Sequence, residues 1–175
     1  MRGDLPREDS ACMGYPLPPM LEAGAQAPAF SAPSAGGPVI SLESLRGRIV
    51  VLYFFRKAFT RNCTVETKGF RDNYDELNAL GAEVVGVSTD DVPTQCAFAE
   101  TLGVKFPMIA DRDRTISWAY NVFFPLLPIV HRVTYVIDRQ GKIAGVFNHE
   151  FQVVRHLDEV LRFVRDLAQR TLRTA

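Results

Sequence analysis

Cys63 is the side chain whose setting most resembles that of a nucleophile, with Thr60 three residues before it and Glu66 three residues after it. A thiolate, not a thiol, attacks electrophiles, and an ordinary cysteine with a pKa of about 8.5 is mostly protonated near neutrality. The surrounding run, IVVLYFFRKAFTRNCTVE from Ile49 to Glu66, joins an apolar strand to a helix through a polar turn. That order places Cys63 in the first turn of the helix, where unpaired N–H groups and the positive end of the dipole favour an anion. Arg56, Lys57 and Arg61 add positive charge nearby in sequence. The same residues read equally well as a small buried hydrophobe beneath a sheet, with the cations as a solvated edge.

The elements that must hold this cysteine follow from periodicity. Ile49 to Phe55 is a near-continuous β-branched and aromatic run, which predicts a strand buried on both faces in the middle of a sheet. Val65, Phe70, Tyr74, Leu77 and Leu80 recur at steps of three to five and predict an amphipathic helix stopped by Gly81. Before the strand, Val39 to Ser41 reads as an edge piece and Ser41 to Arg46 as a helical turn. After the helix come a second buried strand at Glu83 to Ser88, a helix from Val92 to Leu102 closed by Gly103, a short extended piece at Phe106 to Ala110, and a turn or two of helix at Thr115 to Tyr120. Arg132 to Asp138 alternates as a strand, turns at Arg139, Gln140 and Gly141, and returns through Lys142 to Phe147 as a hairpin. Val153 to Thr171 carries an apolar stripe and predicts a last helix. Such an order implies an α/β fold, a mixed central sheet with helices on both faces.

Composition narrows the classes of function. With 175 residues, 47% of them hydrophobic, the chain has the size and core of a single domain. Twenty acidic and twenty basic residues balance, so charge favours neither nucleic acid nor an anionic membrane as partner. Three cysteines without a CxxC pair or a Cys/His cluster argue against a structural metal site or a disulfide framework and point to a reducing, cytoplasmic setting. His131, His149 and His156 lack ligand spacing and read as surface or hairpin residues. Residues 1–23, rich in proline and charge, read as an extended or disordered arm ahead of a domain at 24–175. Cys12 falls in that arm, an incidental exposed thiol or an intermolecular cross-link.

FRKAFTRNCTVE, followed by Phe70, Arg71 and Asp72, resembles the active-site segment of the peroxiredoxins, above all their bacterioferritin-comigratory or Q-type branch. The likeness extends through GAQAPAF, SLESLRGR, GVSTDD, FPMIAD and RVTYVIDRQGKI in the family's order. It implies a thioredoxin-like fold and a thiol peroxidase without metal or organic cofactor, taking a hydroperoxide as substrate and thioredoxin or another thiol as reductant, as a monomer or homodimer. Cys63 would be the attacking sulfur. Thr60 and Arg132 would hold the peroxide, and Glu66 would orient an arginine of the site. On its residues alone Arg132 reads as a strand-end surface charge.

Two departures from the family pattern stand out. Arg56 occupies the place of the family's proline, where a cation either supports the thiolate or admits water. The commonest resolving position, five residues past Cys63, is Lys68. A second pattern of the family places the resolving cysteine on the helix after the next strand, where Cys96 lies about one turn earlier than that pattern. Cys96 reads equally as a helical cysteine packed on the sheet, in which case an external thiol reduces Cys63 directly. The apolar connection Asn121 to His131, NVFFPLLPIVH, reads as a wall of the site that would favour apolar hydroperoxides, as a dimer surface, or as monomer core. Two other functions share the fold: a disulfide oxidoreductase, disfavoured by the lack of CxxC, and a non-catalytic binding protein, hinted at only by Arg56.

Overall fold

The computed structural model describes residues 19–124, 129–149 and 151–173. Cys12 and the arm up to residue 18 lie outside the described residues, as do Pro125, Leu126, Leu127 and Pro128 of the apolar connection.

In chain order the elements are a hairpin of β1 (Ser31–Pro33) and β2 (Val39–Ser41), a 3₁₀ turn (Glu43–Leu45), β3 (Ile49–Phe54), α1 (Arg61–Ala79), β4 (Ala82–Ser88), α2 (Val92–Leu102), β5 (Met108–Ala110), α3 (Thr115–Ala119), the two-residue strands β6 (Phe123–Phe124) and β7 (Ile129–Val130), β8 (Val133–Ile137), β9 (Ile143–Asn148) and α4 (Val153–Arg173). Five strands form one sheet in the order β5-β4-β3-β8-β9. β3 and β5 lie parallel to β4, whereas β8 runs antiparallel to both β3 and β9. Parallel neighbours need a long crossover, and α1 and α2 supply it. The antiparallel pair β8–β9 is closed by a short turn in which Asp138 Oδ1 accepts from the N–H groups of Gln140 and Lys142.

β3 is buried along its whole length and divides the core. Val50, Leu52 and Phe54 face one cluster with Tyr120, Val122, Val130 and Tyr135, which the N-terminal segment, the 3₁₀ turn and α3 help to close. Ile49, Val51, Tyr53 and Phe55 face the other, with Phe70 and Leu77 of α1, Phe98 of α2, and Val160 and Val164 of α4. Helices do cover both faces, but the three long ones share a single face.

α2 has the limits that its sequence predicts, because both ends are signalled locally. The Asp91 side chain accepts from Thr94 N–H, and Gly103 closes the helix at φ 63°. The extended piece expected from Phe106 shortens to Met108–Ala110, the residues that pair with Gly86–Ser88. Likewise the strand expected from Arg132 begins at Val133, leaving Arg132 on its threshold. At the end of the arm, Leu21 packs against the core and Gly24 N–H donates to Ile143 O at 2.7 Å.

Two expectations are corrected. Val122, Phe123 and Val130 of the apolar connection are buried in the core of the monomer, so for these residues the third reading holds. His156 is no surface residue: it is fully buried on α4, because its position lies on the apolar stripe between Val153 and Val160.

Candidate active site

α1 begins where the loop leaving the central strand turns back over the sheet. Thr60 is its N-cap, in extended backbone, and the first helical bond runs from Thr64 N–H to Thr60 O at 2.9 Å. The N–H groups of Arg61, Asn62 and Cys63 therefore precede the helical ladder, and Cys63 is the third residue of the helix. Its inward face is polar first and apolar later: Cys63, Glu66, Thr67, Phe70 and Leu77 are the buried residues. Cys63 and Glu66 are one turn apart and share that face.

Antiparallel pairing brings the remaining charge. Phe54 lies opposite Val133, so Arg132, one residue earlier, arrives beside the loop that follows β3. Its guanidinium spans the two inward groups of α1. Nη2 donates to Cys63 Sγ at 3.4 Å, and Nη1 donates to Glu66 Oε2. Cys63, Glu66 and Arg132 are 1%, 0% and 2% exposed. A buried charge is tolerated when it is paired, and here the fork of one arginine meets a carboxylate and a sulfur together. Cys63, Glu66 and Arg132 thus meet as expected.

Thr60 is present but differently engaged: its hydroxyl donates to Lys57 O at 2.9 Å. Arg56 lines the same recess as Cys63, a cavity of about 340 Å³ bounded also by Thr60, Arg61, Asn62, Arg132 and Phe151. Among the described residues of the apolar connection, none lines this recess. The apolar side is Phe151, 82% exposed, which no pattern in the sequence singles out. Cys96 stands apart on α2, half-buried, and both Cys63 and Cys96 are free thiols. Among the described residues no cluster of His, Cys, Asp or Glu has the makings of a metal site.

Three supporting groups escaped the sequence reading. Asp90 Oδ2 accepts from Ala58 N–H at 2.7 Å and from Ser88 Oγ at 2.9 Å, which ties the cysteine loop to the end of β4. Tyr53 lies beneath the site, its hydroxyl 3.1 Å from Thr67 Oγ1. Burial pushes its phenol well above the usual value, with smaller upward contributions from Glu66 and Cys63, so Tyr53 stays neutral. His156 Nε2 lies 2.7 Å from Thr134 Oγ1 and 3.6 Å from Glu66 Oε1. The apolar stripe of α4 marked its position as inward-facing, and only its residue type argued for the surface.

A mixed sheet of this topology, with a cysteine opening the helix after its central strand, has the architecture of the thioredoxin-like class. The sequence profile of the AhpC/TSA family matches residues 23–146, and the chain belongs to that family. It is 36% identical over 154 residues to the peroxiredoxin Bcp of Escherichia coli (strain K12), an alignment that covers 85% of this chain and 98% of that protein. Over 147 residues it is 35% identical to the chloroplastic peroxiredoxin Q of Suaeda salsa, covering 82% of this chain and 68% of the relative. Among solved structures, peroxidoxin BcpB from Mycobacterium tuberculosis superposes with a TM-score of 0.78 at 33% identity, covering 84% of this chain and 98% of the other. Xanthomonas campestris peroxiredoxin Q gives a TM-score of 0.77 at 26% identity, covering 83% and 98%. The resemblance to Q-type peroxiredoxins and the thioredoxin-like fold are borne out, and the chain is a thiol-dependent peroxidase rather than a non-catalytic relative.

Proposed function

We propose that Cys63 is the peroxidatic nucleophile of this enzyme and that hydrogen peroxide and organic hydroperoxides reach it through the recess between Arg56, Thr60, Arg61 and Phe151. The observation that carries the reading is the Arg132 guanidinium held on Glu66 with its other arm 3.4 Å from Cys63 Sγ. A fixed positive charge at that distance favours the sulfur as an anion and offers donors to oxygen as charge grows there.

The Cys63 thiolate attacks the terminal peroxide oxygen, an S–O bond forms and the O–O bond breaks. The electron pair leaves with hydroxide or alkoxide, which takes up a proton, and Cys63 becomes a sulfenic acid. Arg132 and the Cys63 N–H hold the two oxygens, Glu66 orients Arg132, and Thr60 contributes its hydroxyl once it turns from Lys57 O. Cys96 then condenses with the sulfenic acid, releasing water and forming a disulfide that thioredoxin or a similar dithiol reduces. We place the enzyme in the cytoplasm as a monomer or homodimer. Among the described residues no helix is long and apolar enough to cross a membrane.

Peroxide consumption with a dithiol reductant, together with intact mass after one equivalent of peroxide, tests the assignment. Cys63→Ser abolishes turnover, and wild type loses two hydrogens whereas Cys96→Ser gains one oxygen. Turnover by Cys63→Ser sinks the assignment of the nucleophile, and a wild-type gain of one oxygen sinks only the role of Cys96.

A further inference from the structure

The side chains around the sulfur form a chain of charge that runs deeper than the peroxide recess. Glu66 faces two ways: Oε2 accepts from Arg132, and Oε1 lies 3.6 Å from His156 Nε2. His156 comes from α4, is 0% exposed, and shares its Nε2 with Thr134 Oγ1 at 2.7 Å. Four buried groups from α1, the start of β8 and α4 thus meet, with Cys63 and Arg132 on the recess side and Glu66 and His156 behind them. The chemistry assigned to Cys63, Arg132 and Glu66 does not by itself call for a titratable ring at the far end.

Charge explains it. With Cys63 a thiolate, Arg132 cationic and Glu66 anionic, these three groups together carry one net negative charge, which a proton on His156 offsets. After oxygen transfer the sulfenic acid is neutral, Arg132 and Glu66 cancel each other, and neutral His156 is the balanced form. Unbalanced charge is costly in a buried site, so the ionisations of His156 and Cys63 are linked. We propose that His156 is a charge-compensating positioning residue, binding a proton while Cys63 is a thiolate and releasing it when the sulfur becomes a sulfenic acid. The hydroperoxide is the oxidant and the S–O bond is the one formed. The alkoxide leaving the broken O–O bond takes up one proton, and His156 gives one up to solvent. Among the described residues, other titratable groups also stand near the cluster. On the approach to α4, His149 meets its ring edge-on at 5.8 Å between centroids and is itself paired with Glu159, 2.7 Å away. Tyr53, in the field of Glu66 and Cys63, stays neutral.

This inference rests on Cys63 as the nucleophile, and the measurement separates the two. Nitrogen-15 imidazole signals followed through pH in the reduced wild type and in Cys63→Ser, whose side chain is permanently neutral, give the midpoint of His156 in each. The expected midpoint is higher in the wild type by about one pH unit, the effect of one charge felt across the cluster at an effective dielectric constant of about 20. Equal midpoints, or a ring that stays neutral in both until acid unfolds the protein, overturn the proposal even if Cys63→Ser is inactive. In His156→Gln the acid limb of the peroxide rate moves up by about one pH unit. A merely structural histidine would instead lower the rate evenly at every pH, and that result also overturns it.

Discussion

Arg132 does two things together: one arm reaches the sulfur and the other is fixed on a buried carboxylate. Lysine keeps the charge but has no planar fork, so Arg132→Lys can satisfy Glu66 or Cys63, not both. The second-order rate constant for peroxide reduction is expected to fall about 100-fold, the usual cost of one lost donor at a developing anion, with the circular dichroism spectrum intact. Arg132→Met goes further, leaving Glu66 charged and unpaired by guanidinium in the core, and should cost about 3–5 kcal/mol in urea unfolding. A lysine variant as fast as wild type would mean that charge alone suffices. At this scale Thr60, Cys63 and Glu66 stood out by their even spacing of three residues at a helix start, while the roles expected of them came from the likeness to a family. Arg132 is sixty-nine residues from Cys63; its own neighbours gave it no role, and only the likeness to a family did. His156 was misread because residue type was weighed above its place on the stripe.

The helices hold the charged cluster by a close approach. α1 carries Cys63 and Glu66, α4 carries His156, and the two cross where Gly69 faces Leu157. A Cβ at Gly69 would overlap Leu157 Cδ2 and stand 3.2 Å from its Cγ, so a side chain there requires Leu157 to shift from its place between the helices. Alanine ordinarily favours a helix interior by about 1 kcal/mol over glycine. Here overpacking outweighs that gain, and Gly69→Ala is expected to destabilise by about 1–3 kcal/mol. Leu157→Ala in the same chain removes the obstructing methyl groups, so the double variant should be more stable than the sum of the two single changes predicts. Strict additivity would show that the contact does not set the spacing. The elements themselves were legible wherever a local signal ended them: Asp91 and Gly103 bound α2 and Gly81 stops α1. β6 and β7 were not legible, because two-residue strands offer no periodicity to read.

The whole molecule explains why the site can exist and also what must move for it to turn over. Cys63, Asp90, Arg132 and His156 come from four separated segments, which the parallel neighbour of β3 on one side and the antiparallel neighbour on the other bring to one end of the sheet. That same packing leaves the sulfur buried at the foot of its recess, and a disulfide to Cys96 requires Cα atoms within about 7 Å. α2 is fastened against such a movement. Gln95 Nε2 donates to Ile109 O at 2.9 Å, Arg71 Nη1 donates to Leu102 O at 2.7 Å, and Phe98 is fully buried against Phe55 and Phe59. Phe59 belongs to the cysteine loop and Asp90 to the approach to α2, so the two cysteine-bearing segments already touch through their neighbours. If Cys96 resolves the sulfenic acid, oxidation must draw Phe98 out of the core. Exposing one such ring costs about 1.5–3 kcal/mol of local stability. Amide hydrogens of residues 92–102 should therefore exchange about 10- to 100-fold faster in the oxidised wild type than in the reduced protein, as each 1.4 kcal/mol is a factor of ten. Cys96→Ser treated with peroxide should show no such change. Oxidised wild type whose α2 exchanges as slowly as the reduced protein would mean that Cys96 is a packing residue and that an external thiol comes to Cys63 instead.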